Sequence, residues 1–449
     1  MTMNLITMLL ANVPIPKDIP LPLPAPEWFL VALLIISFLV HIVFVNLMVG
    51  GTLLTFFAQV KGLRDKDYDI LAHEIAKTIT VNKSMAVVMG VAPLLIINTI
   101  YTVYFYSANA LTGLFWIAIV PLVVFAFLLT YPHKYLWEKL QNNKGLHIAM
   151  IAAASGIFLF IPLIFLTNIN LMIYPEKWGT VSGFFSAMFL PNVFPRYFHF
   201  IFASMTATGL FLFYFFGRPS FKFEEKFTTL TRFEVRKRMY SLAFMATLLQ
   251  FIVGPVILLT LPSKAISWTL IQVISPGILL GLYALYLLWN GLNAKETEIG
   301  SDFSKIVISL SLVVVLMVSG RHIIRENALG PHKSLVNQRT LAYEAEVKAA
   351  SLASLEAKIE TGKLEPKGSA KAGEAIFKSN CSACHALKVK VVGPPVLEMV
   401  SIYKGKEADL KKWIRNPGKK RENFPQMPGF PQLTGEELDS TVQFILNSK

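Results

Sequence analysis

Cysteine is almost missing from this chain. It holds two in 449 residues, so no framework of disulfides can brace it. Charge is scarce too: 16% of residues are Asp, Glu, Lys or Arg against 54% hydrophobic, which excludes a single soluble domain of this length. Acidic residues are the rarer sign, 28 against 42 Lys and Arg, for a net charge of +14. That excess could suggest nucleic acid. The charges sit mainly in loops between apolar runs and near the C-terminus, however, whereas a phosphate backbone needs one basic face, so no nucleic-acid partner is expected. The stretch from Asn4 to Val13 lacks a basic start, which argues against a cleaved signal peptide. The chain shows no internal repeat.

What replaces charge is hydrophobic length. Apolar runs of 18 or more residues recur from Phe29 to about Gly320, enough to cross a bilayer as helix. Eight spans are read at about 29–58, 85–106, 111–132, 147–170, 197–217, 240–261, 267–290 and 304–320. With the N-terminus outside, the inner loops carry 17 Lys and Arg and the outer loops only Lys177, Arg196 and Lys264. This bias sets the orientation and puts both termini outside. An outer loop at 174–196, rich in Phe, Trp, Pro and Gly, is expected to cover that end of the bundle. Residues 339–361 carry strong helix formers and alternating charge and read as a surface helix, followed by a turn at Pro366-Lys367-Gly368.

The two cysteines fall in one pentapeptide, Cys381-Ser382-Ala383-Cys384-His385. This is the spacing for covalent haem c: two thiols for the vinyl groups and a histidine for the iron. Haem of this type is attached outside the bacterial cytoplasmic membrane, so the motif agrees with the loop charges on orientation. Residues 367–449 read as a small helical domain around one haem, with Trp413 on the haem edge and Met427 in an irregular loop between Pro425 and Pro428. Met399, the other methionine here, lies in helical sequence. This segment resembles a class I cytochrome c. The resemblance implies that His385 and Met427 are the axial ligands and that the Pro394 carbonyl holds the His385 ring. A thioether ligand favours Fe(II) and raises the reduction potential, which suits a carrier. Excess Lys and Arg on this module suits docking of an acidic periplasmic redox protein.

Histidines inside apolar helices need a partner, since imidazole in hydrocarbon is costly when unbonded. His41 and His199 are the two mid-span cases. His133 and His147 lie toward the inner side, His73 in an inner loop where it is expected to be solvated, and His322 and His332 just beyond the last span. The runs His41-Ile42-Val43-Phe44-Val45-Asn46-Leu47-Met48-Val49-Gly50-Gly51 and Arg196-Tyr197-Phe198-His199-Phe200 resemble the large subunit of cytochrome bd quinol oxidases, as do Gly90-Val91-Ala92 and Gly320-Arg321. The resemblance implies b-type haem on His41 and His199 and a second membrane subunit. The chain departs from that family at several places. Asn98, Ser311 and Val273 stand near positions where the family has two glutamates and a methionine. The quinol loop has shrunk to Leu261-Pro262-Ser263-Lys264-Ala265. His322-Ile323-Ile324 follows Gly320-Arg321 in place of Gln-Pro-Trp, so His322 could replace a lost ligand.

The sequence therefore reads as all-α. It has an outer tail at 1–28, a membrane bundle at 29–320, an outer linker with a helix at 321–366, and a class I cytochrome c domain at 367–449. The expected cofactors are one haem c and one or more haem b. The expected setting is the bacterial inner membrane within a larger respiratory complex, with the cytochrome c domain periplasmic. The expected role is electron transfer between the two haem types. A cytochrome c-fed oxygen or nitric oxide reductase, a haem-free anchor for a c-type carrier, and a quinol-oxidising subunit are the alternatives.

Overall fold

The structure, a computed structural model, describes residues 23–360, 370–419, 422 and 424–448. Residues 1–22 of the expected tail and the turn at Pro366-Lys367-Gly368 lie outside the described residues. The described chain is helical and has no strand, in line with an all-α fold. Its helices are α1 (Glu27–Lys61), α2 (Lys66–Ile100), α3 (Thr102–Thr112), α4 (Leu114–Tyr135), α5 (Trp137–Leu140), α6 (Lys144–Met172), α7 (Phe184–Met188), α8 (Val193–Gly217), α9 (Arg232–Leu259), α10 (Trp268–Asn293), α11 (Phe303–Glu360), α12 (Ala370–Asn380), α13 (Val396–Tyr403), α14 (Glu407–Arg415) and α15 (Gly435–Asn447). Among the described residues, eight helices are long and apolar enough to cross a membrane, α5 and α6 counting as one crossing. The chain is a multi-pass membrane protein.

Hydrocarbon offers the backbone no partners, so each span must satisfy its own N–H and C=O groups. At α2, α6, α9 and α10 first-turn N–H groups are met by side chains from short polar loops. Asp65 accepts from Asp67 N (3.1 Å), Asn143 from Leu146 N (3.2 Å) and Ser267 from Leu270 N (3.2 Å). Thr231 and Glu234 close a capping box on α9. A single residue, Gly113, separates α3 from α4. Its φ of +53° is a conformation that side chains with a Cβ adopt only under strain.

Two compact units divide between Gln338 and Arg339. In the first, α1 packs along α2 and α8, α8 along α9, and α4 along α6. Small residues allow the close approach of α1 and α8: a Cβ on Gly50 would collide with Thr208 Oγ1. Polar ties lie beside that contact, with Ser204 Oγ donating to Asn46 Oδ1 (3.0 Å) and Thr208 Oγ1 to the Asn46 carbonyl (3.2 Å). In the second unit, α12 crosses α15 with the Phe377 and Phe444 rings 5.2 Å apart. Phe377, Val396, Met399, Leu410, Ile414 and Val442 form its core.

Two expectations about element extent are corrected. The helix of the last span does not stop at 320 with a separate helix beginning at 339; α11 runs unbroken from Phe303 to Glu360. Residues after Gly320 lose apolarity but not helix-forming capacity, and hydropathy registers only the first. His73 is not a solvated loop residue. It lies on α2, which begins at Lys66, and its ring stacks on Trp137 at 4.4 Å.

Candidate functional site

In the second unit, the turn after α12 carries Cys381, Cys384 and His385 into one cleft. Trp413 of α14 and Met427 line the same cleft. The two cysteines form no disulfide; Cys381 is buried and Cys384 partly so. Burial pushes the Cys381 thiol up to about 11, with Cys384 adding to the shift. Backbone bonds from Val392 N (3.2 Å) and Gly393 N (2.8 Å) to the Cys384 carbonyl fold the following loop back. That loop brings the Pro394 carbonyl 2.7 Å from His385 Nδ1. The bond fixes the ring's tautomer and leaves Nε2 as the nitrogen available to a metal. Gly393 lies flat against the imidazole, where any Cβ would collide with His385 Cε1. Met399 is in the core on α13 and also reaches the cleft wall, whereas Met427 comes from the irregular loop. Paired thiols, a tethered imidazole and a thioether around one apolar cleft fit a covalent haem.

In the bundle, His41 on α1 makes the same kind of contact across helices. Its Nδ1 lies 2.9 Å from the Ala86 carbonyl of α2. A Cβ on Gly90, one turn further along α2, would stand 2.8 Å from His41 Cε1. His199 lies on α8. Its Nδ1 is buried and has no hydrogen-bond partner among the described residues. A third residue here is Arg321 of α11. It interacts electrostatically with His199, and its guanidinium lies 5.8 Å from the Phe38 ring centroid, itself 6.5 Å from the His41 ring.

Arg321 and Arg196 stand in two of the motifs quoted above, where neither was given a role. Arg196 was counted among outer-loop residues, but it lies on α8 and is only 8% exposed. Arg321 interacts electrostatically with Arg196, and Arg325 with both. Among the described residues no carboxylate pairs with Arg196 or Arg321. Unpaired guanidiniums inside a membrane bundle are strongly unfavourable unless an anion meets them. The two carboxylates of a haem would meet that need, and with His41 and His199 nearby the residues fit a b-type haem.

His322 stands apart from this group in its bonding. Its Nδ1 is 3.2 Å from the Tyr101 hydroxyl, which donates to Glu326 (2.6 Å), and Glu326 also accepts from Lys333 (2.6 Å). His332 is buried, with Nδ1 3.2 Å from the Tyr104 hydroxyl. His133 and His147 form a further buried pair: His147 Nε2 bonds the His133 carbonyl (2.8 Å), and His133 Nε2 meets Gln59 (2.9 Å). Among the described residues the buried side-chain oxygen of Asn98 has no hydrogen-bond partner, and Ser311 is exposed. The short loop at 261–265 is tied down where Asn327 donates to the Ala265 carbonyl (3.2 Å).

Residues 368–445 match the family described as cytochrome C oxidase, cbb3-type, subunit III. The C-terminal module is a cytochrome c-type domain. Such a domain implies covalent haem c. A curated relative, cytochrome c oxidase subunit 2 of Bacillus sp. (strain PS3), is 27% identical over 93 residues, which is 18% of this chain. The match covers 26% of that relative, so the chain spans about a quarter of its length. Among solved structures, bd oxidase from Geobacillus thermodenitrificans aligns with a TM-score of 0.54. The alignment covers 75% of this chain and 98% of that one at 14% identity. That likeness establishes a shared bd-type fold.

Proposed function

We propose that this protein is a membrane cytochrome passing single electrons between haem c on its C-terminal domain and haem b in its bundle, as a subunit of a respiratory complex. The observation that carries the reading is the pair of unpaired guanidiniums, Arg196 and Arg321, beside two membrane histidines. An anchor without haem would leave both charges uncompensated. In the c-type domain, Cys381 and Cys384 would hold haem c covalently, His385 and Met427 would ligate its iron, and the Pro394 carbonyl orients the His385 ring. In the bundle, His41 and His199 would ligate haem b, Gly90 makes room for the His41 ring, and Arg196 and Arg321 would hold its carboxylates. When bound, each haem supplies a one-electron couple whose potential its ligands tune.

The N-terminus and the cytochrome c domain face the periplasm, because the Lys and Arg excess of the loops lies on the other side. The c-type domain matches a family described as an oxidase subunit, and the curated relative is an oxidase subunit by name, which supports a place in a larger assembly. Asn98 and the exposed Ser311 offer no carboxylate where bd oxidases carry one, which favours a relay over oxygen reduction. The test is stopped-flow reduction of the full chain by a reduced periplasmic-type cytochrome c. Haem b should be reduced after haem c in the native chain, and not at all in the Cys381→Ala/Cys384→Ala variant. Equal haem b reduction in both would overturn the relay.

A further inference from the structure

A second concave site lies at the other end of α8, where that apolar helix stops at Gly217. An open pocket of about 420 Å³ is lined there by residues of α2, the end of α8 and the loop at 218–226. Four cations line it, Lys77, Arg218, Lys222 and Lys226, against one carboxylate, Glu74. Glu74 is buried, its side chain 7% exposed, and its Oε1 accepts from both Lys77 Nζ (2.8 Å) and Lys226 Nζ (2.7 Å). One carboxylate therefore positions two ammonium groups and neutralises only one. Lys222 reaches Glu225 (2.8 Å), but both side chains are mostly in solvent, where such a pair is easily exchanged. Arg218 has no carboxylate partner among the described residues, and its guanidinium lies 4.2 Å from the Phe215 ring centroid.

The wall beside these cations is aromatic, with Phe215 and Phe221. Tyr214, one residue before Phe215, is 60% exposed on the helix surface. Tyrosine at the end of a span marks the membrane–water interface. Cations held over an apolar wall at that depth match an amphiphile with a phosphate head, and basic pockets between helix ends recognise anionic headgroups.

We propose that this pocket holds the phosphate of an anionic phospholipid headgroup. Arg218 supplies paired N–H donors, and Lys77 and Lys226 supply point charges already fixed by Glu74. Free phosphate has the same chemistry without the acyl chains; the proposal commits to the lipid.

The test is native mass spectrometry of the full, delipidated chain in uncharged detergent, titrated with phosphatidylglycerol, with phosphatidylcholine, and with inorganic phosphate as competitor. One phosphatidylglycerol should be retained in preference to phosphatidylcholine and should resist millimolar phosphate. Arg218→Gln/Lys222→Gln removes two charges without touching Glu74 or the core, and should weaken retention roughly 25-fold. Lys134→Gln/Lys139→Gln makes the same charge change elsewhere and should leave retention within about threefold. Equal losses in the two double variants, unchanged binding in the first, or full displacement by phosphate would each overturn the proposal. Retained haem spectra in both variants would show that the fold survives.

Discussion

His385 and His41 lie in unrelated parts of the molecule and are held alike. Each gives Nδ1 to a backbone carbonyl, Pro394 at 2.7 Å and Ala86 at 2.9 Å, and each has a glycine where a Cβ would press on its ring. The difference lies in distance along the chain. Pro394 follows His385 by nine residues, so one loop builds the contact. Ala86 is 45 residues from His41, so the contact exists only once α1 and α2 have packed. A site built within one loop depends on local backbone geometry. A site built across helices depends on the packing of the whole bundle.

Removing the imidazoles should break the comparison most sharply. His385→Ala should abolish the native haem c spectrum and leave haem b intact; His41→Ala should do the reverse, read as the c and b α-bands of reduced protein. The next effect comes from filling the space at Gly90. Gly90→Val should displace the His41 ring and lose most haem b while haem c stays at full occupancy. Overpacking of this kind costs about 1–3 kcal/mol, so the bundle should still fold. Arg196→Gln and Arg321→Gln should each lower the haem b midpoint potential, since a nearby cation favours the reduced iron. A change of about 60 mV corresponds to a tenfold shift for one electron, and spectroelectrochemical titration would resolve it.

The smallest effect concerns the two capping boxes. Thr434→Ala should remove about 1 kcal/mol from the small domain, where Thr434 accepts from Glu437 N and Glu437 reaches back to Thr434. In a unit of that size the loss should lower its melting temperature by about 4–8 °C. Thr231→Ala removes the same box from α9, but the bundle's melting temperature should move by less, because many more residues unfold with it.

The same contrast explains what could be read from sequence. That Cys381, Cys384 and His385 share one cleft is legible because covalent attachment would need them within five residues, and Met427's place on its wall because two prolines frame its loop. The spans are legible because hydrocarbon demands uninterrupted apolar length. The course of α11 past Gly320 is not, since a helix leaving the apolar layer keeps its backbone bonds while losing the only pattern that marked it. Arg196 illustrates the same limit. A charge beside an apolar run reads as a loop residue, and only the structure shows Arg196 buried on α8 and interacting electrostatically with Arg321. His73 fails for a related reason: its polar neighbours suggest a loop, and its stacking on Trp137 needs α5 to arrive. The partners of His41 and His199 come from other helices, so neither histidine's own segment shows whether it is structural or a ligand.

The account stands on the bundle holding haem of its own. Pyridine haemochrome spectra of the purified full chain measure this directly by counting c-type and b-type haem per polypeptide. The account predicts one haem c and at least one haem b. One haem c with no haem b would contradict it, and would leave Arg196 and Arg321 as unpaired charges serving some other anion.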